Sequence, residues 1–252
     1  MLTNSFIFLD GISDKGEQNI WNQGILSWND FFAMKRVKGI SQIRKIFLDN
    51  EINNAKKALL GNDSGFFWKR LQKRKAVMWK LYPHFKDEAV FLDIETAGWN
   101  KGSFVTVVGI SDGFDSRILV KGINLDFGIV RKIVSHAKLL VTFNGSAFDI
   151  PILRRYIKDF PDVPHLDLMR VCESAGLSGG LKEIEMKLGI ARNLDYDIKG
   201  GDAISLWRMY SASGNDEYLK LLMRYNEEDV INLKRIADVV VQRLIGHCLI
   251  NE

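Results

Sequence analysis

The spacing of apolar residues changes near Glu88, and the change limits the folds open to this chain. Before Glu88 the apolar positions recur at helical intervals, with no convincing strand alternation. Beyond it come short, β-branched runs bounded by charges or glycine, the mark of buried strands. Ala89 to Ile94 ends in charges, Phe104 to Ser111 is rich in valine, and Ser116 to Val120 lies between Gly113 and Gly122. Phe127 to His136 returns to helical spacing, and Leu139 to Phe143 reads as a fourth strand. The remainder reads as helices: Pro151 to Ile157, Leu168 to Ala175, Leu181 to Leu188, Ala203 to Tyr210, Tyr218 to Met223 and Asn226 to Ile245. Three successive strands, then helix, strand and more helices, predict the α/β class: a mixed sheet flanked by helices, over residues 89–252. A small all-helical domain precedes it over residues 1–88. There Ser27 is placed to cap a helix beginning at Trp28. Ser41 to Leu60 is amphipathic through Ile43, Ile46, Phe47, Ile52, Ala55, Ala58 and Leu59. After the Asn62–Gly65 turn, Phe66, Phe67, Leu71, Val77, Met78 and Leu81 predict a second helix running toward Pro83.

Composition removes several classes. With 46% hydrophobic and 26% charged residues, the chain has material for a core and is not broadly disordered. Apolar stretches such as Ile245 to Ile250 fall far short of the ~20 residues of a spanning helix, so no membrane is expected. Phe6 to Leu9 is too short for the apolar core of a signal peptide. Cys172 and Cys248 stand far apart and outside any CxxC spacing, so neither a disulfide framework nor a zinc knuckle is indicated, and a reducing, cytoplasmic location is the expectation. Residues 1–88 carry 15 Lys/Arg against 9 Asp/Glu, a balance of +6, whereas the rest carries 20 against 22, a balance of −2. A basic front and a slightly acidic back suit a polyanion-facing module joined to a cation-holding one. Solvated helix faces at Lys35 to Lys38 and Lys69 to Lys75 would give the same count.

The acids of the second part are placed for chemistry. In Phe91-Leu92-Asp93-Ile94-Glu95-Thr96 the strand period of two puts Asp93 and Glu95 on one face. Two neighbouring carboxylates repel, and hard oxygen ligands of this kind suit Mg²⁺ or Mn²⁺. Asp149 ends Asn144-Gly145-Ser146-Ala147-Phe148-Asp149, where a strand hands over to a helix; a cap would also sit there. In Tyr225-Asn226-Glu227-Glu228-Asp229 the phenol and the last carboxylate share a helix face at i and i+4. A surface helix rich in acids reads the same way in isolation.

Taken together, Asp93, Glu95, Asp149, Tyr225 and Asp229 resemble the motifs of the DEDD superfamily, in its tyrosine-bearing (DEDDy) branch of 3′→5′ exonucleases with an RNase H-like fold. The histidine branch would carry His where Arg224 stands. Phe91 to Thr96, His165-Leu166-Asp167-Leu168, Leu181 to Glu185 and Tyr225 to Asp229 are similar, more narrowly, to the YprB-type ribonuclease H-like family. The resemblance spans about residues 88–245. It implies that Asp93, Glu95 and Asp229 hold two divalent ions, Mg²⁺ or Mn²⁺, that Asp149 joins them directly or through water, and that Tyr225 positions the attacking water. Asn144 falls in the second motif, as a residue on the nucleic-acid side. Asp167 matches a family position and suits a helix cap; His165 suits a structural role.

Leu9 to Gly16 with Trp21 to Ile25 resembles a helix-hairpin-helix unit, whose Gly-Ile turn, here Gly11-Ile12, offers backbone N–H groups to a phosphate. Ser13 replaces the usual second glycine of the hairpin, and Gly39-Ile40 offers a further turn of this kind. Lys35, Arg36 and Lys38 lie close in sequence and add positive charge. The resulting expectation is a metal-dependent 3′→5′ exonuclease acting on DNA or RNA with a 3′ end. Two alternatives share its features: a binding module whose RNase H-like half is catalytically silent, and a structure-specific endonuclease. No P-loop, Gly-x-Ser-x-Gly or His-Glu-x-x-His motif is present.

Overall fold

The computed structural model describes residues 2–98, 103–192 and 202–250. The chain packs as two compact units, residues 1–86 and 87–252. The first contains α1 (Asp14–Trp21), α2 (Trp28–Ala33), α3 (Gln42–Leu60), α4 (Ser64–Leu71) and the short α5 (Tyr82–Phe85), with a 3₁₀ segment at Lys75–Leu81. One device starts three of these helices. Gly11, Gly24 and Gly39 take φ of 70°, 75° and 87°, each is followed by isoleucine, and Ser13, Ser27 and Ser41 then cap α1, α2 and α3. An aromatic cluster fills the core: the Phe6 and Phe31 rings lie 5.4 Å apart, Phe8 and Trp28 5.2 Å, and Phe8 and Phe67 5.8 Å. Beside it the buried Glu17 accepts from Ser5 Oγ at 2.6 Å, Ile7 N at 3.0 Å and Lys80 Nζ at 3.2 Å, as well as from Phe6 N. Among the described residues no α-helix precedes the Gly11-Ile12 turn, only a 3₁₀ segment at Leu2–Asn4. That turn therefore leads into α1, and the helix-to-helix connections carry Gly24-Ile25 and Gly39-Ile40 instead.

Two helical expectations are corrected here. On α3 the buried face is Leu48, Ile52, Ala55 and Ala58, while Ile43, Ile46 and Phe47 are exposed, Ile43 to 85%. The helix is apolar on two sides, and only the position of the aromatic core selects between them. The helix expected from Phe66 to Leu81 breaks after Leu71, where Arg74 leaves helical geometry and its Nη2 donates to Ile12 O at 2.9 Å.

The second unit is a five-stranded sheet in the order β3-β2-β1-β4-β5, comprising β1 (Ala89–Thr96), β2 (Val105–Ser111), β3 (Ser116–Val120), β4 (Leu139–Thr142) and β5 (His165–Asp167). β1 runs antiparallel to β2 and parallel to β4; β2–β3 is antiparallel and β4–β5 parallel. Its helices are α6 (Phe127–His136), α7 (Asp149–Leu153), α8 (Leu168–Ser174), α9 (Leu181–Leu188), α10 (Asp202–Ser213) and α11 (Asp216–Ile250). This is the mixed sheet with flanking helices that the residue pattern predicts. β5 was not anticipated, since three residues behind Pro164 are too few to show a period. α11 is one helix of 35 residues where two were expected, because no glycine or proline interrupts Tyr218 to Ile245. On one face of the sheet Val90, Leu92 and Ile94 pack with Val130 and Val134 of α6 and Leu153 of α7. On the other, Val107 and Val120 pack with Trp207 of α10 and Leu219, Leu222 and Tyr225 of α11. Cys172 is a free, buried thiol, and the side chain of Cys248 lies outside the described residues. Among the described residues no helix is long and apolar enough to cross a membrane.

Candidate metal centre

The alternation of β1 that buries Leu92 and Ile94 on the α6 side turns Asp93 and Glu95 toward α11. From α11, Asp229 comes to meet them. One carboxylate oxygen from each of Asp93, Glu95 and Asp229 lies within 4.8 Å of the other two. β4 pairs with β1 only over Ala89 to Phe91, and the N–H of Ile94, beyond that pairing, is taken by Asp149 Oδ1 at 3.1 Å. Asp149, the first residue of α7 and 2% exposed, thus reaches the end of β1 from the β4 side. Tyr225, one turn before Asp229, lines the same cavity of about 410 Å³, as do Asp93, Glu95, Asn144, Asp149 and Asp229.

Burial is the largest cause raising every one of these acids. Asp93 is held well above the usual carboxylate range by burial first, then by Asp229, Asp149 and Glu95, with Asn226 pulling the other way. Glu95 is pushed up to about 8 by burial, then by Asp229 and Asp149. Burial raises Asp149 to about 7 against the backbone N–H bonds that it accepts. Asp229 rises to about 6, again through burial, with Arg192 opposing. Four oxygen-donor side chains that pay this penalty together are a chemical fit to Mg²⁺ or Mn²⁺.

Two supports were not visible in the sequence. Asn226 is fully buried, and its Nδ2 donates to Asp93 Oδ2 at 2.8 Å. It reaches there because Gly109, the β2 partner of Asp93, has no side chain; a Cβ at that position would meet Asn226 Oδ1 at 2.3 Å. Its place three residues before Asp229 was the available clue. Arg192 contacts Asp229 Oδ1 through Nη2 at 2.5 Å and pairs with the buried Glu185. No periodicity marks Arg192, which stands past the Gly189 cap of α9.

Asp167 caps α8 through Met169 N at 3.2 Å and also accepts from Asn144 N at 2.8 Å and Ser146 N at 3.1 Å, so it holds the turn that carries Asn144 at φ 57°. His165 Nε2 bonds Thr142 Oγ1 at 2.9 Å. The four acids belong to the second unit, and Gly11, Ile12, Lys35, Arg36 and Lys38 to the first. There Lys35, Arg36 and Lys38 are exposed, Ile12 is buried, and the Arg44 guanidinium sits over Gly11 while donating to Asp10 O.

A comparison with curated proteins finds no match. A family profile described as RNase H superfamily matches residues 90–241, a stretch that contains β2 to β5, all of β1 but Ala89, and each of the four acids. The mixed sheet, the acidic cluster at the end of its central strand and this match over more than half of the chain agree: the chain belongs to the RNase H superfamily, whose members are generally nucleases.

Proposed function

We propose that this chain is a divalent-metal-dependent 3′→5′ exonuclease acting on DNA or RNA. The observation that carries the reading is the meeting of Asp93, Glu95 and Asp229 within 4.8 Å, in a cavity that Asp149 and Tyr225 also line. The likeness of these five residues to the DEDDy pattern supports action from a 3′ end. Asp93, Glu95 and Asp229 would hold two Mg²⁺ or Mn²⁺ ions, with Asp149 joining directly or through water. When bound, such ions neutralise charge on the attacking and leaving oxygens of an in-line displacement at phosphorus. The chain's own groups do the rest: Asn226 fixes Asp93, and the Tyr225 hydroxyl orients the attacking water. In the first unit the exposed Lys35, Arg36 and Lys38 would hold the polynucleotide backbone. End-labelled DNA and RNA oligonucleotides, and closed circles, incubated with Mg²⁺, Mn²⁺ or EDTA test the proposal. Stepwise loss from the 3′ end is expected with either metal, and none with EDTA, with circles or with Asp93→Asn. Cleaved circles would reassign the chain to the endonucleases, and binding without cleavage would make it a silent module.

A further inference from the structure

Arg192 brings a guanidinium against the carboxylate cluster, and it is itself tightly held. Its Nε and Nη2 contact Glu185 Oε2 and Oε1 at 2.6 and 2.9 Å, and Nη2 also reaches Asp229 Oδ1 at 2.5 Å. Glu185, 2% exposed, receives Asn232 Nδ2 at 2.9 Å, and Arg235 Nη1 fixes Asn232 Oδ1 at 2.8 Å. The guanidinium carbon lies 5.5 Å from the centre of the Tyr225 ring. Nη1 is buried and has no hydrogen-bond partner among the described residues. What the arrangement provides is a planar fork locked by one acid and aimed at another.

Such a cation at a metal ligand can act in two ways. It can stand in for a metal and compete with it, or it can hold the ligand in place for the metal. Formal charge decides between them. Arg192 is already matched by Glu185, so the pair adds no net charge; even beside Lys182, the four acids Asp93, Glu95, Asp149 and Asp229 carry an excess of formal negative charge that a divalent cation would meet. Grasped at Oδ1, the Asp229 carboxylate is held in one orientation beside Asp93 and Glu95. We infer that the Glu185–Arg192 pair is a positioning device for Asp229 that sets the affinity of the centre for its divalent ion. This rests on the metal-dependent reading above.

Calorimetric titration of the full chain with Mn²⁺ tests the inference, with circular dichroism as the control for folding. Arg192→Gln is expected to weaken Mn²⁺ binding about 10–100-fold, as loss of an outer-shell partner of a metal ligand typically does. Arg192→Lys should recover part of the loss, since it restores the charge without the fork. The Mn²⁺ concentration for half-maximal cleavage should rise in parallel while the rate at saturating Mn²⁺ is largely kept; a mere packing defect would lower that saturating rate. Unchanged binding by a folded Arg192→Gln protein overturns the inference, and tighter binding overturns it in favour of a competitor. Should Arg192→Gln fail to fold, Glu185→Gln puts the same question: it leaves the Arg192 charge wholly on Asp229, so Mn²⁺ binding must weaken, and unchanged binding overturns the inference. If the unmodified chain takes up no Mn²⁺, the metal-dependent reading falls and this inference with it. If it binds Mn²⁺ and the variants match it, only this inference falls.

Discussion

The phenol of Tyr225 is mostly buried, and burial, followed by Asp229 and Glu95, pushes its pKa above the ordinary value of about 10. A group held so firmly protonated cannot take a proton from water near pH 7. It can still orient that water through its hydroxyl. Tyr225→Phe should therefore lower turnover, toward the low end of the ~10²–10⁴-fold typical of groups positioned at a proton transfer, while calorimetry shows Mn²⁺ binding retained. Asp229→Ala should lose both, because it removes a ligand and leaves Arg192 without its second acid. A Tyr225→Phe enzyme with undiminished turnover would reduce Tyr225 to a packing residue beside Leu222. A strand period puts Asp93 and Glu95 on one face and a helical turn does the same for Tyr225 and Asp229, but it is the resemblance to the DEDDy motifs that groups them with Asp149. Asn226 and Arg192 are not legible in the sequence, because their roles come from contacts with residues 133 and 37 positions away.

At the level of elements, the closeness of α11 to the sheet depends on one missing side chain. A Cβ on Gly109 would lie 2.3 Å from Asn226 Oδ1 and 2.9 Å from Val230 Cγ1, both on α11. Gly109→Ala must push the helix away or displace Asn226 from Asp93. Overpacking of this kind typically costs about 1–3 kcal/mol. Chemical denaturation should show that loss, and Mn²⁺ binding should weaken with it; unaltered stability would mean that α11 yields freely. In the first unit, Lys80→Met leaves Glu17 buried without its cation, a change that costs about 3–5 kcal/mol in comparable pairs. Chemical denaturation of the full chain, followed by circular dichroism, checks it. Strands and helices with one clean apolar face, such as β3, α6 and α9, fall where the spacing puts them. α3 does not show its inner face in advance, since Ile43, Ile46 and Phe47 compete with Leu48, Ile52 and Ala55 until Trp28 and Phe31 are placed.

For the molecule as a whole, the acidic centre ties stability to pH and to metal in one direction. In the unfolded chain these carboxyls titrate at about 4. In the folded chain Glu95 titrates at about 8, Asp149 at about 7 and Asp229 at about 6, each raised chiefly by burial. Between about pH 4 and pH 8 the folded state thus holds protons that the unfolded state has released, so stability falls as pH rises through that window. Below it both states are protonated and the penalty vanishes; above it the penalty is complete. A divalent cation binds the deprotonated acids, and by mass action it stabilises the folded state most where the protons have left. In EDTA the melting temperature of the second unit should fall from pH 5 to pH 8. The rise on adding Mn²⁺ should be small at pH 5 and grow over the same interval. Asp93→Asn removes one of the mutually repelling charges, so in EDTA it should melt higher than the unmodified chain at pH 8 and respond less to Mn²⁺. A melting temperature in EDTA that is flat from pH 5 to pH 8 would show the four carboxyls to be relieved by something other than protons, and Arg192, the guanidinium already touching Asp229, would be the first group to test.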